Sequence, residues 1–283
     1  MKAIIGTVVV IGCLLGGYLP HGSIGILIQP LEVLIIMGAT IGAWVIATPG
    51  WAIKKGLSGA LGLIKPSPFD KEAFQQLLGL MFKVFNKARR EGLMSIEADV
   101  EDPHASALFN EFPKVIADHH VSDFIADYLR MMISGATNPY QMEDLINVEM
   151  EAHHHEGHVP AAAIAEAAQA LPAMGIVAAV LGIIVTMSYL DAGPLEIAHH
   201  MSVALVGTFL GILAAYGFVN PIAGAMNAKL DQESAYYVTI KTCILANLNG
   251  YAPPVAVEFG RKSIPSEFRP SFKELDEYLQ SIK

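Results

Sequence analysis

The sequence predicts an all-α fold: a polytopic membrane protein with four transmembrane helices and a large helical cytoplasmic domain. Of its 283 residues, 53% are hydrophobic and only 16% are charged, whereas soluble domains average about 25% charged residues. Windows of about 19 residues identify four apolar candidate spans. These are Ala3–Leu19, Leu31–Thr48, Leu171–Leu190 and Met201–Val219.

The spans divide the chain into four predicted segments. Residues 1–50 hold transmembrane helices 1 and 2, and residues 51–170 form a cytoplasmic helical loop domain. Residues 171–222 hold transmembrane helices 3 and 4, and residues 223–283 form a cytoplasmic C-terminal tail.

The basic residues predict the orientation. No Lys or Arg occurs between Lys2 and Lys54, or between Arg130 and Lys229. The positive-inside rule therefore places both termini in the cytoplasm. The first span could also be interpreted as a signal peptide. Cleavage would leave three spans and move the basic tail outside, so we expect the span to be retained.

Charge and motifs exclude several function classes. A net charge of −9 argues against a nucleic-acid partner. Cys13 and Cys243 lie too far apart on this topology to pair, so no disulfide framework is expected. The sequence contains no P-loop, no GxGxxG after a strand, no HExxH and no GxSxG, and it indicates no nucleotide or hydrolase chemistry and no cofactor.

Glu32 is a carboxylate at the outer end of the second span. An ionisable side chain in or beside a span is by default a functional hypothesis. The alternative is that Glu32 lies in the lipid headgroup layer. Both interpretations remain open at this stage.

In the cytoplasmic block, Lys71–Arg90 predicts an amphipathic helix. Apolar residues recur at helical spacing and form one face of this helix: Phe74, Leu77, Leu78, Met81, Val84, Phe85 and Ala88. Lys83, Lys87 and Arg90 lie on the opposite face, with Arg89 nearer its edge. The acidic stretch Ser95–Asp102 follows. Such a charge run is usually a solvated helix face; the alternative is a docking surface for a charged partner.

Further helices are expected at Val121–Ser134, from Pro139 into the third span, and at Phe272–Ile282. The Pro and Gly residues of the tail predict turns before that last helix. The histidines His153, His154, His155 and His158 are dense enough to suggest a metal site. Only His154 and His158 have ligand spacing, and no third ligand is evident, so we expect no bound metal.

The fourth span carries small residues at helical spacing: Ala204, Gly207, Thr208, Gly211 and Ala215. Such a stripe is typical of close helix packing, and Thr208 is the one hydroxyl at mid-span. Pro172 lies at the start of the third span, where it is tolerated in a first turn and suits a hinge. Pro221 is expected to break or bend the fourth span. Neither span contains a carboxylate, so an ion path here would need a titrating group from another chain.

Together these features resemble the A subunit of the bacterial flagellar motor stator, the MotA family. The strongest segments are LPAMGIVAAVLGIIV, HHMSVALVGTFLGILAAYGFVNP and NGYAPPVAVEFGRK, with RREGLMSIEADVEDP and DFIADYLRMMISG in the cytoplasmic block. The resemblance covers nearly the whole chain.

This resemblance implies a multi-pass protein of the cell inner membrane, in contact with membrane lipid. It implies a ring, thought to be a pentamer, around a dimer of a single-span, Asp-bearing, peptidoglycan-binding B subunit, with ions passing at the interface. Thr208 matches the threonine that faces the partner's Asp. Pro172 and Pro221 match prolines tied to torque-linked conformational change. Arg89 and Glu97 match residues that meet the rotor switch protein, although helical phase favours Arg90 over Arg89.

Sodium-driven relatives tend to have a Thr where this chain has Ala178 and Ala179, so the resemblance implies proton-driven transport without a covalent enzymatic step. Two other functions stay open. One is an envelope energiser of the TolQ/ExbB kind. Those proteins look like three-span chains with an external N-terminus. The other is a membrane scaffold without an ion path.

Overall fold

The computed structural model describes residues 2–282; Met1 and Lys283, the outer limits of the predicted first and last segments, lie outside the described residues. Within that range the chain is helical and contains no strand. The α-helices are α1 (Lys2–Tyr18), α2 (Ile24–Leu27), α3 (Pro30–Ala47), α4 (Gly50–Gly62), α5 (Lys71–Glu91), α6 (Glu97–Glu101), α7 (Ala107–Asn110), α8 (Pro113–Ile116), α9 (His119–Ile133), α10 (Pro139–Met187), α11 (Pro194–Ile212), α12 (Asn220–Leu248), α13 (Pro253–Ser263) and α14 (Phe272–Ser281).

Short 3₁₀ turns occur at Leu93–Ile96 and Leu190–Ala192, and a π-helical segment, Leu213–Val219, lies between α11 and α12. The predicted all-α membrane fold is confirmed. Three apolar helical stretches are long enough to cross a membrane, at Ile24–Ala47, Pro139–Met187 and Pro194–Leu248. The apolar helix Ile4–Tyr18 is shorter, so the count of four spans stays a prediction.

By internal contacts the chain forms two compact units. The first comprises residues 1–66 and 156–228, and the second comprises residues 67–155 and 229–283. In the first unit, α3 packs against α11, and Ile36 joins Leu171, Ala178 and Ala215 in a small buried cluster. The outward faces of its helices expose large aliphatic side chains, among them Leu31, Leu34 and Ile46. An apolar exterior of this kind suits a lipid environment.

The second unit is built around α5, whose predicted apolar face is buried apart from the half-buried Ala88. The Asp70 carboxylate caps this helix by accepting from Ala73 N at 2.8 Å, a typical N-cap contact. Tyr236 of α12 donates from its hydroxyl to the Ala73 carbonyl at 3.1 Å. At Gly260 of α13, a Cβ would lie 2.2 Å from the Cys243 Sγ, so only glycine permits this approach of α13 to α12.

Three local expectations need correction. The tail is more helical than its Pro and Gly residues suggested, because Pro253 and Pro254 begin α13, a position where a missing N–H costs no hydrogen bond. Pro172 lies inside the continuous helix α10 and not in a first turn. Pro221 does not end the fourth span, since the chain passes through the π-helical segment into α12.

Candidate functional site

The membrane unit is organised by a close contact between α10 and α11. A Cβ added to Gly182 would lie 2.8 Å from the Cβ of Ala204, and one added to Gly207 would lie 3.4 Å from the Cβ of Ala178. A Cβ on Gly211 would lie 2.9 Å from the Cα of Gly175. The backbones of the two helices therefore touch along several turns, which is what small residues permit in lipid.

Thr208 lies at the edge of this contact. The other members of the predicted stripe, Ala204, Gly207, Gly211 and Ala215, are buried, whereas Thr208 is half-buried. Its hydroxyl forms no hydrogen bond within residues 2–282. By contrast, the Thr186 hydroxyl in α10 donates to the Gly182 carbonyl at 2.8 Å. The Thr208 hydroxyl is thus available to a group outside the described chain.

Ala178 and Ala179 of α10 lie beside α11, the helix that carries Thr208. Ala178 is fully buried, and a Cβ on Gly207 would lie 3.6 Å from the backbone nitrogen of Ala179. Neither side chain offers an oxygen. The α10 side of this contact therefore presents methyl groups and no side-chain oxygen to a hard cation, which prefers oxygen ligands.

The Glu32 side chain is buried within the first unit. Its side chain is 7% exposed, and its Oε2 lies 3.1 Å from where a Gly207 Cβ would be. That oxygen has no hydrogen-bond partner in the described chain. A buried carboxylate oxygen without a partner is an exception to the usual pairing of buried polar groups.

The two prolines lie at irregular points of long helices. Pro172 has no N–H to donate to the Ala168 carbonyl, one turn earlier in α10. Pro221 follows the π-helical segment, where the backbone N–H of Asn220 donates to the Ala215 carbonyl five residues back. π-Helical turns of this kind are frequent at functional positions.

The charged surface of the second unit holds Arg89, Arg90 and Glu97. All three are exposed, and none forms an ion pair with another described residue. Their neighbours are paired internally: Lys87 with Asp99 at 2.7 Å and Lys83 with Glu111 at 2.5 Å. The Lys83–Glu111 pair was not predictable from helical spacing, because Glu111 lies 28 residues away in sequence, directly after α7. The pairing leaves Arg89, Arg90 and Glu97 among the exposed charges of this surface that have no ion-pair partner in the described chain.

Arg90, but not Arg89, lines a cavity of about 670 Å³ together with Lys83, Lys87 and Asp99. This agrees with the helical-phase argument that Arg90 lies at the centre of the basic face. Gly92 ends α5 with a φ of +90°, a conformation that favours glycine. It turns the chain so that Glu97 follows within one short 3₁₀ turn.

The histidines lie against α12. The His153 Nε2 is 3.5 Å from the Glu233 Oε1, and the His153 ring packs on Tyr237 with centroids 4.9 Å apart. The His154 Nδ1 is 3.1 Å from the Ser234 Oγ. Burial raises the pKa of the Glu233 carboxyl, and His153 acts in the opposite direction. Among residues 2–282, no three His, Cys, Asp or Glu side chains form a group that could hold a metal ion.

Comparison with known proteins agrees with this geometry. The family described as "Motility protein A N-terminal" matches residues 4–92, and the "MotA/TolQ/ExbB proton channel family" matches residues 116–238. Motility protein A of Escherichia coli (strain K12) is 43% identical, with 100% of this chain and 96% of that protein covered.

Two solved structures are similar. C. jejuni MotAB has a TM-score of 0.79 at 19% identity, covering 96% of this chain and 98% of that chain. The flagellar MotAB stator complex from Bacillus subtilis has a TM-score of 0.64 at 28% identity, covering 90% of this chain and 92% of that chain. The chain therefore belongs to the motility protein A family, the A subunits of the flagellar motor stator, within the MotA/TolQ/ExbB proton channel family.

Proposed function

We propose that this chain forms a proton channel together with a single-span B subunit that supplies the titrating Asp. One observation carries the proposal. Residues 171–187 and 201–219 contain no Asp, Glu, His, Lys or Arg, yet the Thr208 hydroxyl lies half-buried at mid-span without a partner. A carboxylate from a second chain beside Thr208 would complete a proton-binding site, because a hydroxyl can hydrogen-bond a carboxyl in either protonation state.

The assembly we propose is a ring of this chain, a pentamer, around a dimer of the peptidoglycan-binding B subunit. The membrane is the cell inner membrane, and both termini face the cytoplasm. In this arrangement the membrane holds residues 1–50 and 171–222, and the cytoplasm holds residues 51–170 and 223–283. The exposed aliphatic side chains of the first unit support contact with lipid and with further copies.

The proposed ion is the proton. Na⁺ binds in sites of several oxygen ligands, and the methyl groups of Ala178 and Ala179 supply none. Proton transfer needs only the partner's carboxyl group and hydrogen-bonding neighbours such as Thr208.

The proposed output is torque on the rotor switch protein. The unpaired charges of Arg89, Arg90 and Glu97 would meet complementary charges there. Pro172 and Pro221 would allow α10 and the end of the fourth span to change shape as the site is protonated, because each interrupts helical hydrogen bonding.

Co-expression with a B subunit tests the proposal. In cells lacking their own stator, the pair should restore swimming, and membranes containing the pair should take up protons down an imposed gradient. Replacing the B subunit's Asp with Asn should abolish both while leaving assembly intact. A correctly assembled complex that passes no protons would refute the proposal.

A further inference from the structure

The inner face of α3 carries a row of polar groups at every fourth position, interrupted once by Ile36. The members are Glu32, Thr40 and Trp44, and Thr48, which directly follows the helix. Residues four apart form an oblique ridge on a helix surface. At 1.5 Å per residue the row extends over roughly 24 Å, most of the thickness of a bilayer core. We refer to these four residues as the α3 polar row.

Each member of the α3 polar row has a buried polar atom without a hydrogen-bond partner in the described chain: Glu32 Oε2, Thr40 Oγ1, Trp44 Nε1 and Thr48 Oγ1. The side chains of Glu32, Thr40 and Thr48 are 7%, 4% and 8% exposed. Such groups are nearly always satisfied, and each exception needs an explanation.

Hydroxyls elsewhere in the membrane unit show the usual solution. Thr186 donates to the Gly182 carbonyl at 2.8 Å, and Ser202 donates to the Ala198 carbonyl at 2.9 Å. Both bonds reach back one helical turn, as is common for hydroxyls inside helices. Thr40 could bond in the same way to Ile36 but does not. The four polar atoms of the α3 polar row therefore have no hydrogen bond within the described chain.

The surfaces opposite the α3 polar row offer no protein partner. Glu32 faces Gly207, and Ile36 packs with Leu171, Ala178 and Ala215. Residues 171–187 and 201–212 carry no Asp, Glu, His, Lys or Arg. Of their hydroxyls, Thr186 and Ser202 bond within their own helices, and Thr208 bonds to none of the four atoms of the row. A second protein chain cannot reach atoms sealed inside this one. Water is the remaining group that is small enough and can both donate and accept.

We propose that the α3 polar row binds a file of water molecules between α3 and the α10–α11 pair, and that this file gives protons a route within the chain that starts at Glu32. Thr40 and Thr48 can each donate and accept, whereas Trp44 can only donate. Trp44 would therefore hold a water molecule in place, and protons would pass along the water. The water-binding part stands alone; the proton route rests on the proposed function.

α3 can make room for this water. Its opposite face is open, with Leu34 68% and Ile46 89% exposed, so no other described element holds it from behind. The close packing seals the four polar atoms, and water enters when α3 shifts outward. The unsatisfied atoms favour that shift, because each regains a hydrogen bond when hydrated.

Thiol accessibility tests the water-binding part in the complete complex. Cys13 is exposed, so it is first replaced by Ser. Cys243 can stay, because it is buried and burial raises the pKa of its thiol to about 12. In that background, Thr40→Cys and Thr48→Cys are treated with Ag⁺, a small ion that moves through water and reacts with thiolates. We expect them to react about tenfold faster than Thr186→Cys, which is as buried but lies off the row. Ile46→Cys, on the exposed outer face of α3, serves as a second control.

Equal rates at Thr40→Cys, Thr48→Cys and Thr186→Cys would overturn the water site, whatever the complex transports. If the Cys variants of the row react fast but the wild-type complex passes no protons, the water site stands and the proposed function is refuted instead.

Proton uptake tests the route. Thr40→Val removes the hydroxyl with little change of shape, and Trp44→Phe removes the indole N–H together with part of the ring. We expect uptake to fall severalfold in both while assembly is unchanged. Thr40→Ser, which restores the hydroxyl, should recover it, and Thr186→Val should leave it unaffected. If Thr40→Val and Trp44→Phe raise the melting temperature and leave uptake unchanged, the unpaired polar atoms of the row only destabilise the fold and carry no protons.

Discussion

Gly175 and Gly211 face each other with no room for a side chain between them. A Cβ on Gly211 would lie 2.8 Å from the Leu171 carbonyl oxygen and 2.9 Å from the Gly175 Cα. Both neighbours are backbone atoms, which cannot move aside as a flexible side chain could. The contact between α10 and α11 therefore depends on glycine at this position.

Replacing Gly211 with Ala should separate the two helices. Overpacking typically costs about 1–3 kcal/mol, so we expect a lower melting temperature in detergent and weaker assembly with the B subunit. Gly42→Ala is the matched control, because nothing lies within 4 Å of a Cβ there. If Gly211→Ala melts like Gly42→Ala, the close approach of α10 to α11 is not important for stability.

Thr208→Val should slow proton flux without preventing assembly. Valine keeps the shape of threonine but removes the hydroxyl. A net loss of about 0.5–1.5 kcal/mol for one hydrogen bond corresponds to a roughly two- to tenfold slower step. Proton uptake by vesicles measures this directly, and Thr208→Ser should restore the wild-type rate. Wild-type uptake by Thr208→Val would mean that Thr208 only packs.

Motility should be independent of sodium and abolished by a protonophore. The reason is the lack of side-chain oxygens at Ala178 and Ala179, which leaves a partly dehydrated Na⁺ without enough ligands. Swimming speed is measured while sodium is varied at constant ionic strength and membrane potential. A speed that rises with sodium concentration would show that the ion is Na⁺.

Charge reversal at the exposed surface should impair motility more than neutralisation. Exposed ion pairs contribute only about 0.2–1 kcal/mol each, so Arg89→Ala should slow swimming without stopping it. Reversal adds repulsion, and Arg89→Glu combined with Glu97→Lys should abolish swimming while proton uptake continues. Arg90→Glu, tested beside Arg89→Glu, decides which arginine faces the rotor.

Lys273→Glu is the control for this series, since Lys273 is exposed on α14, outside the charged surface. Normal swimming of every reversal variant would show that the charges form a solvated helix face. A loss of proton uptake together with swimming would indicate damage to the assembly.

Glu274 should make the stability of the second unit depend on pH in the acidic range. The Lys71 ammonium, followed by the Ser271 backbone and side chain, lowers the pKa of this carboxyl from 4.5 to about 2. A lowered folded-state pKa gives stability that is present above pH 4.5 and lost as the pH falls towards 2. Glu274→Gln should therefore melt earlier than wild type at neutral pH, and the difference should vanish near pH 2.

The control is Glu277→Gln, because Glu277 is exposed and lies 3.7 Å from Lys273. It should change the melting temperature little at any pH. A difference between Glu274→Gln and wild type that persists at pH 2 would assign the effect to lost packing and not to charge.

Helical periodicity predicted much of the fold, because it reports which face of a helix is buried. Phe74, Leu77 and Phe85 of α5 are all fully buried, and the predicted helix Lys71–Arg90 ends one residue short of the observed α5. Helical periodicity predicts the helix ends less well, because a proline or glycine can lie either in a turn or at the start or end of a helix. The sequence predicts a turn at Pro253, but this residue begins α13, and local sequence does not distinguish these two uses of proline.

The membrane site was predictable only in part. The small-residue stripe indicated the contact face of α11, but the burial of Glu32 depends on Gly207, which lies far away in sequence. The α3 polar row did carry a sequence signal, namely polar residues at 32, 40, 44 and 48 in an otherwise apolar span. Spacing shows that they share a ridge; their lack of partners is visible only once the opposite helices are in place.

The π-helical segment Leu213–Val219 gives the fourth span a surplus of one residue over regular α-helical winding. Asn220 bonds to the fifth residue back and not the fourth. If the segment were to tighten to the α pattern, the helix beyond it would turn by about 100° and advance by about 1.5 Å. Asn220 and Pro221 would be carried round with it, and the N–H of Asn220 would move from the Ala215 carbonyl to the carbonyl four residues back. A small shift along the helix axis near Thr208 would thus become a rotation of the helix that follows the π-helical segment.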